Sequence, residues 1–213
     1  MAMAATDEPD NDATPPCPPV HAAVVERFIS AECAACWRDK NVEQPADAQW
    51  LLDWIVPSAR GDAAPLSSAA PAEARGRAQR AKAEPGNGRA RVQRSAARDA
   101  GGLQLSVASG PAWNGYFGVQ VDTGGRPAAG ASVWIALVES VASGTDGSAV
   151  PRELVRTLSG PFKPAELRSG QPWQYLLAMR WPDTAQPARL RARAWIEDAS
   201  GRIVAMAGER CAR

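Results

Sequence analysis

Short apolar runs, several of them alternating with polar residues, recur from residue 101 to the C-terminus and are separated by turn residues. Residues 103–107 alternate at every position, and glycine-containing turns at 122–125 and 144–147 close later runs. Alternation with a period of two places one set of side chains on the buried face of a strand. Many such strands with frequent turns are typical of an antiparallel sandwich. We therefore predict a β-sandwich over residues 101–213.

Two of the predicted strands keep this alternation over most of their length. Apolar side chains occupy every second position, namely Trp173, Tyr175, Leu177, Met179 and Trp181 in one strand and Leu190, Ala192, Ala194 and Ile196 in the other. Residues 131–138 are apolar on both faces, which is typical of a central strand. The aromatic run 113–117 is expected to pack in the core, and the alternative is an aromatic platform for a ligand.

Three segments of different composition precede this half. Residues 1–20 are acidic and rich in proline, which predicts a disordered leader. Residues 21–60 contain two apolar segments and are expected to form a small folded unit. Residues 61–100 contain almost no large aliphatic side chains, so we expect an Ala- and Arg-rich linker with a surface helix over 71–83.

The cysteines are the residues that point most directly to a chemistry. Cys33 and Cys36 form a CxxC directly after a predicted strand, where a helix would begin. In that position the first thiol has a lowered pKa and attacks a disulfide, and the second thiol then resolves the mixed disulfide. We therefore expect Cys33 to be the nucleophile and Cys36 the resolving thiol.

Other interpretations of this CxxC stay open. The pair can also be a structural disulfide, half of a zinc site or two reduced core thiols. A zinc site needs two further ligands, and the spacing of Cys17, Cys211 and His21 matches no standard zinc finger. Because His21 is the single histidine, sites that need several histidines are excluded, and a Ser-His-Asp triad is not expected either. We predict no metal and no cofactor.

The two remaining cysteines, Cys17 and Cys211, lie just outside the ends of the predicted folded region. A structural disulfide between them would tether the termini and, in the loop-entropy model, stabilise the fold by about 4–5 kcal/mol. The alternative is two exposed cysteines in the tails.

Residues 24–37, together with the closing strand–turn–strand at 194–207, resemble the secreted bacterial proteins of domain of unknown function family 1223. The family's strand followed by F-x-S-x-x-C-x-x-C corresponds to Phe28, Ser30, Cys33 and Cys36. The resemblance implies an α+β fold, β-dominated overall, with a partial thioredoxin-like unit at 21–60 followed by an antiparallel β-sandwich. The unit is expected to be partial because the Thr-Pro pair of thioredoxins is missing between Cys36 and the β-rich half.

The location expected for the protein is periplasmic or secreted. The N-terminus contains an Ala-x-Ala pattern followed by an acidic stretch, which resembles the end of a signal peptide. An even number of cysteines is typical of oxidising compartments. Every apolar stretch is much shorter than the roughly 20 residues that span a bilayer, so no membrane span is predicted.

Two functions follow from these features. The first is thiol–disulfide exchange through Cys33 and Cys36, with protein or small-molecule thiols and disulfides as partners. The alternative is a non-catalytic periplasmic binding or assembly module, in which disulfides staple a β-sandwich. No nucleic-acid partner is expected, because the net charge is +1 and the basic run 75–98 contains no aromatic residue for base stacking.

Overall fold

The computed structural model describes residues 23–46, 49–95, 103–125, 127–164 and 173–209. Its helices and strands, in chain order, are β1 (Ala23–Ser30), α1 (Ala34–Arg38), β2 (Gln49–Val56), α2 (Glu73–Ala81), β3 (Arg89–Ser95), β4 (Gln104–Ser109), β5 (Tyr116–Gly124), β6 (Ser132–Val141), β7 (Arg152–Phe162), β8 (Gln174–Arg180), β9 (Leu190–Glu197) and β10 (Ile203–Gly208). Most of these elements are strands, which confirms the prediction of an α+β, β-dominated chain. The predicted leader, 1–20, lies outside the described residues.

Strands from both halves of the sequence form one seven-stranded sheet, in the order β10-β9-β6-β7-β2-β1-β3. Strands β1 and β2 pair in parallel over their whole length. Strand β2 also pairs in parallel with β7, where Asp53 lies opposite Leu154. The other pairs in this sheet are antiparallel. The boundary expected at residue 100 therefore does not divide the sheet.

A second sheet, in the order β4-β5-β8, covers one face of the large sheet over β6 and β9. The core between the two sheets includes the alternating residues of β9 and their partners from β5, β6 and β8: Val119, Val121, Val133, Ile135, Leu137, Met179, Leu190, Ala192, Ala194 and Ile196. The predicted orientation of the β9 side chains is confirmed. Two packed sheets are also the coarse arrangement that the strand pattern predicted.

The turn between β4 and β5 departs from the prediction. Trp113 is 76% exposed and Tyr116 is 45% exposed, so the expectation that the run 113–117 packs in the core is wrong for both residues. Asn114 and Gly115 between them have positive φ angles, as a two-residue hairpin turn requires. The turn carries the two flanking rings away from the core.

The opposite face of the large sheet is covered by α2. Ala74 and Ala78 of this helix are fully buried against an apolar cluster rich in tryptophan, which comprises Val24, Phe28, Trp50, Leu52, Trp54, Val56, Trp134, Ala136, Val138, Val155, Leu158 and Trp195. The helix predicted over 71–83 is thus present, but it is part of the core rather than a surface helix. Strand β3 also comes from the segment 61–100, which was expected to be a linker. Small side chains allow α2 to approach the sheet without large aliphatic residues.

A buried ion network joins α2 and β3 to this face. Arg77 of α2 donates to Glu26 Oε1 at 2.8 Å and to Glu197 Oε1 at 2.6 Å. Arg94 of β3 donates to the same two carboxylates. Indole N–H groups complete the coordination of these carboxylates, from Trp54, Trp134 and Trp195. Because a buried charge is stable only when it is paired, these contacts fix α2 over the sheet.

Candidate disulfide site

Cys33 and Cys36 form a disulfide at the start of α1, with their Cα atoms 5.2 Å apart. The segment begins where β1 ends, and the Cys33 N–H donates to the carbonyl of Ser30 at 2.9 Å. Both cysteines are half-buried. The backbone N–H of Cys36 donates to Cys33 Sγ at 3.2 Å. The predicted pair is therefore brought together, with at least part of each residue open to solvent.

Trp37, the residue after the CxxC, anchors the helix to the protein. It is buried in a small apolar cluster with Ile29, Ile55, Val141 and Leu154. Its indole N–H donates to the carbonyl of Asp146 at 2.8 Å. The disulfide is therefore carried by a helix whose last turn is fixed by residues from both halves of the sequence.

Arg152 of β7 holds the C-terminal end of the same helix. Its Nη2 donates to the carbonyl oxygen of Trp37 at 2.9 Å and to that of Cys36 at 3.3 Å. Its Nε donates to Ser148 Oγ at 3.0 Å. The last carbonyls of a helix have no partner within the helix, so a buried guanidinium at this position satisfies acceptors that would otherwise lack a donor.

Asp53 of β2 links Arg152 to Arg27 of β1. The carboxylate of Asp53 accepts two hydrogen bonds from Arg27, at 2.6 and 2.7 Å, and lies 3.5 Å from Arg152 Nη1. The backbone N–H of Glu153 donates to the same carboxylate at 3.0 Å. One buried carboxylate thus serves two arginines, so this cluster carries excess positive charge beside the disulfide.

A groove of about 350 Å³ opens next to Cys36. Its walls come from β1, β3, β7 and the segment after α1, and they comprise Arg27, Ile29, Cys36, Asn41, Val42, Glu43, Arg89, Ala90, Arg91 and Arg152. Arg27 Nη1 donates to the carbonyl of Glu43 at 3.2 Å and so holds the segment after α1 against the sheet. A groove lined by four arginines therefore lies beside the disulfide.

The remaining site predictions have different outcomes. Cys17, Cys211 and His21 lie outside the described residues, so the predicted terminal disulfide stays a prediction. Within the described ranges, no group of three His, Cys, Asp or Glu side chains is placed to hold a metal ion. None of the helices in this part of the chain has the length and apolar composition to cross a membrane.

Arg27, Asp53 and Arg152 are the site residues that the sequence did not reveal. Two of them lie inside apolar strands, where a lone charged residue at a buried position is itself a signal that it has a partner. Arg152 in β7, which contacts both Asp53 and α1, is about a hundred residues away from them in the chain. No sequence pattern connects positions that far apart.

No protein-family model, curated protein or solved structure shows significant similarity to this chain.

Proposed function

We propose that the protein exchanges thiols and disulfides through Cys33 and Cys36, in a periplasmic or secreted location. The observation that carries the proposal is the half-buried CxxC disulfide, held on an anchored helix at the edge of a cationic groove. Structural disulfides are commonly enclosed by the core, whereas a working disulfide must be reachable by an attacking thiolate.

The exchange is a pair of substitutions at sulfur. A thiolate of a reduced partner attacks Cys33 Sγ, the bond between the two cysteines breaks, and Cys36 leaves as a thiolate that takes a proton from water. A second partner thiolate then attacks the partner sulfur of the mixed disulfide and releases Cys33 as a thiolate. Two electrons pass from the partner to the protein, and the reverse sequence reduces a partner disulfide.

The hydrogen bond from the Cys36 N–H to Cys33 Sγ supports the assignment of Cys33 as the nucleophile. A donor that points at a sulfur favours its thiolate form. Cys36 has its carbonyl bound by Arg152, which keeps the second sulfur in position to resolve a mixed disulfide.

The parallel pairing of β1 and β2 around the CxxC also supports the resemblance to family 1223. A strand followed by a CxxC at a helix start is what the sequence predicts for a partial thioredoxin-like unit at 21–60, and a second strand parallel to the first fits such a unit. The family assignment and the partial thioredoxin-like unit belong to this proposal.

The test is to follow the reactivity of each thiol. We expect Cys33 in the Cys36→Ser variant to react with iodoacetamide at a lower pH than Cys36 in the Cys33→Ser variant. The wild-type protein should also catalyse reduction of insulin by dithiothreitol, and both single variants should lose this activity. An ordinary thiol pKa for Cys33, together with no turnover, would overturn the proposal.

The alternative function, a non-catalytic binding or assembly module with a stapled sandwich, also has an observation in its favour. Both cysteines pack against the apolar cluster around Trp37, as a staple would. This function predicts that Cys33→Ser lowers the melting temperature. It also predicts that the wild-type protein, like the variant, shows only background activity in the insulin assay. The insulin assay therefore separates the two functions, and the size of the stability loss in Cys33→Ser is a second criterion.

A further inference from the structure

The groove beside Cys36 takes its arginines from three strands. Arg27 belongs to β1, Arg89 and Arg91 to β3, and Arg152 to β7. The antiparallel register places Arg27 opposite Arg91, and Ile29 opposite Arg89. Residues opposite one another in adjacent strands point to the same face of the sheet. Arg27, Arg89 and Arg91 therefore belong to adjacent strands on one side of the groove, and Arg152 is the fourth guanidinium that lines it.

Three carboxylates face these four cations. Asp53 is shared by Arg27 and Arg152. Asp39 pairs with Arg89 at 2.5 Å, and Glu43 lies 3.4 Å from Arg91. The groove keeps one positive charge in excess.

Arg89 and Arg91 are the cations that a ligand can reach. Their side chains are 50% and 37% exposed, whereas Arg27 and Arg152 are buried. Glu43, the partner of Arg91, is 71% exposed, so water screens that pair and an incoming carboxylate can replace it. Burial lowers the pKa of Arg152, Asp53 opposes this effect, and the neighbouring Arg27 and Arg89 lower the pKa further. A bound anion would relieve that repulsion.

The size of the groove favours a small molecule over a protein surface. A volume of about 350 Å³ lies at the small end of the range for ligand pockets. Ile29, Val42 and Ala90 add apolar area between the arginines, which suits a short aliphatic chain with charged ends.

We propose that the groove binds a small thiol or disulfide carrying carboxylates, about the size of a tripeptide, with its carboxylates on Arg89 and Arg91. This inference rests on the proposed thiol–disulfide exchange and names its substrate class. The thiolate of one such molecule breaks the disulfide and forms a mixed disulfide with one cysteine, while the other cysteine leaves and is protonated by water. A second molecule attacks the first one's sulfur, which yields the small-molecule disulfide and the reduced protein.

Binding is tested apart from chemistry with S-methylglutathione, a tripeptide that carries two carboxylates and whose sulfur cannot exchange. Calorimetry on the oxidised protein should give a Kd that rises about tenfold or more when Arg89→Gln and Arg91→Gln are combined. The matched control is Arg180→Gln, which removes an exposed arginine from β8, in the other sheet. Absence of binding to the wild type, or equal binding to the double variant, would overturn the inference.

Exchange is tested with glutathione and its diethyl ester, which keeps the thiol but lacks the carboxylate charges. The ratio of the two reduction rates should fall about tenfold in the double variant and stay constant in Arg180→Gln. Added salt should slow glutathione more than the ester in the wild type. An unchanged ratio overturns the groove's role while exchange itself stands, whereas failure of both thiols to reduce the protein overturns the proposed function as well.

Discussion

Arg152 donates from Nη2 to the carbonyl oxygen of Trp37 at 2.9 Å, and its guanidinium lies 5.0 Å from the centroid of the Trp37 indole. One side chain of β7 thus binds both the backbone end of α1 and the ring that anchors it. Because Arg152 also lines the groove beside Cys36 and approaches Asp53, it connects α1, this groove and the parallel pair of β2 and β7.

Loss of Arg152 should therefore weaken the whole fold. We predict that Arg152→Met lowers the free energy of unfolding by about 2–4 kcal/mol, because buried acceptors in α1 and Ser148 lose their donor. Urea denaturation of the oxidised protein measures the change. Arg202→Met is the control, since Arg202 is 68% exposed, and it should change stability by no more than about 0.5 kcal/mol. Equal effects of the two substitutions would contradict the prediction.

The disulfide should contribute little to global stability. Cys33 and Cys36 are three positions apart, and closing so short a loop is worth about 2 kcal/mol in the loop-entropy model. We predict that Cys33→Ser and Cys36→Ser each lower the free energy of unfolding by about that amount. Denaturation curves of both variants check this. A loss beyond about 4 kcal/mol would instead favour the staple function.

The buried carboxyl of Glu26 should make stability depend on pH. Burial alone would raise its pKa, but Arg77 and Arg94 lower it below the ordinary value of 4.5. A group with a lowered folded-state pKa stabilises the protein above its unfolded pKa, and this stabilisation is lost as the pH falls through the folded pKa. We predict that stability declines below pH 4.5 and that Glu26→Gln has a shallower decline. Urea denaturation between about pH 6 and pH 3 measures both slopes, which would be parallel if Glu26 carried no such effect.

The forked contact of Arg77 with two carboxylates should not tolerate lysine. Lysine has a single ammonium group and cannot donate to Glu26 and Glu197 in the same geometry. We predict that Arg77→Lys lowers the free energy of unfolding by about 2 kcal/mol or more. Arg75→Lys, at an exposed position of the same helix, should leave it within about 0.5 kcal/mol of wild type. Thermal denaturation of both variants beside the wild type measures the two changes. Equal losses of stability in Arg77→Lys and Arg75→Lys would contradict the prediction.

Much of the β structure was predictable because its cause is local. The alternation in 190–196 defines a buried face within one strand, and the structure places these side chains between the two sheets. The CxxC is equally local, since its two cysteines are three positions apart. Both features could be read from neighbouring residues alone.

The remainder depended on partners that are distant in the chain. The sequence does not predict strand β3 because three of its seven residues are arginines, and one of them, Arg94, is half-buried only because Glu26 and Glu197 accept its hydrogen bonds. The same holds for Arg77, whose carboxylate partners are 51 and 120 residues away. Composition indicates a solvated linker here, whereas the packing of Ala74 and Ala78 on the sheet and the tertiary ion network make it part of the core.

The pairing of β2 with β7 has a consequence for the order in which the site is assembled. Cys33 and Cys36 leave the ribosome long before Asp146 and Arg152, which are 109 and 115 residues beyond Trp37. Until those residues are synthesised, β2 has no partner on one edge and α1 has no anchor. The helix that carries Cys33 and Cys36 can therefore be fixed in place, and the groove beside Cys36 completed, only when the second half of the protein has been made.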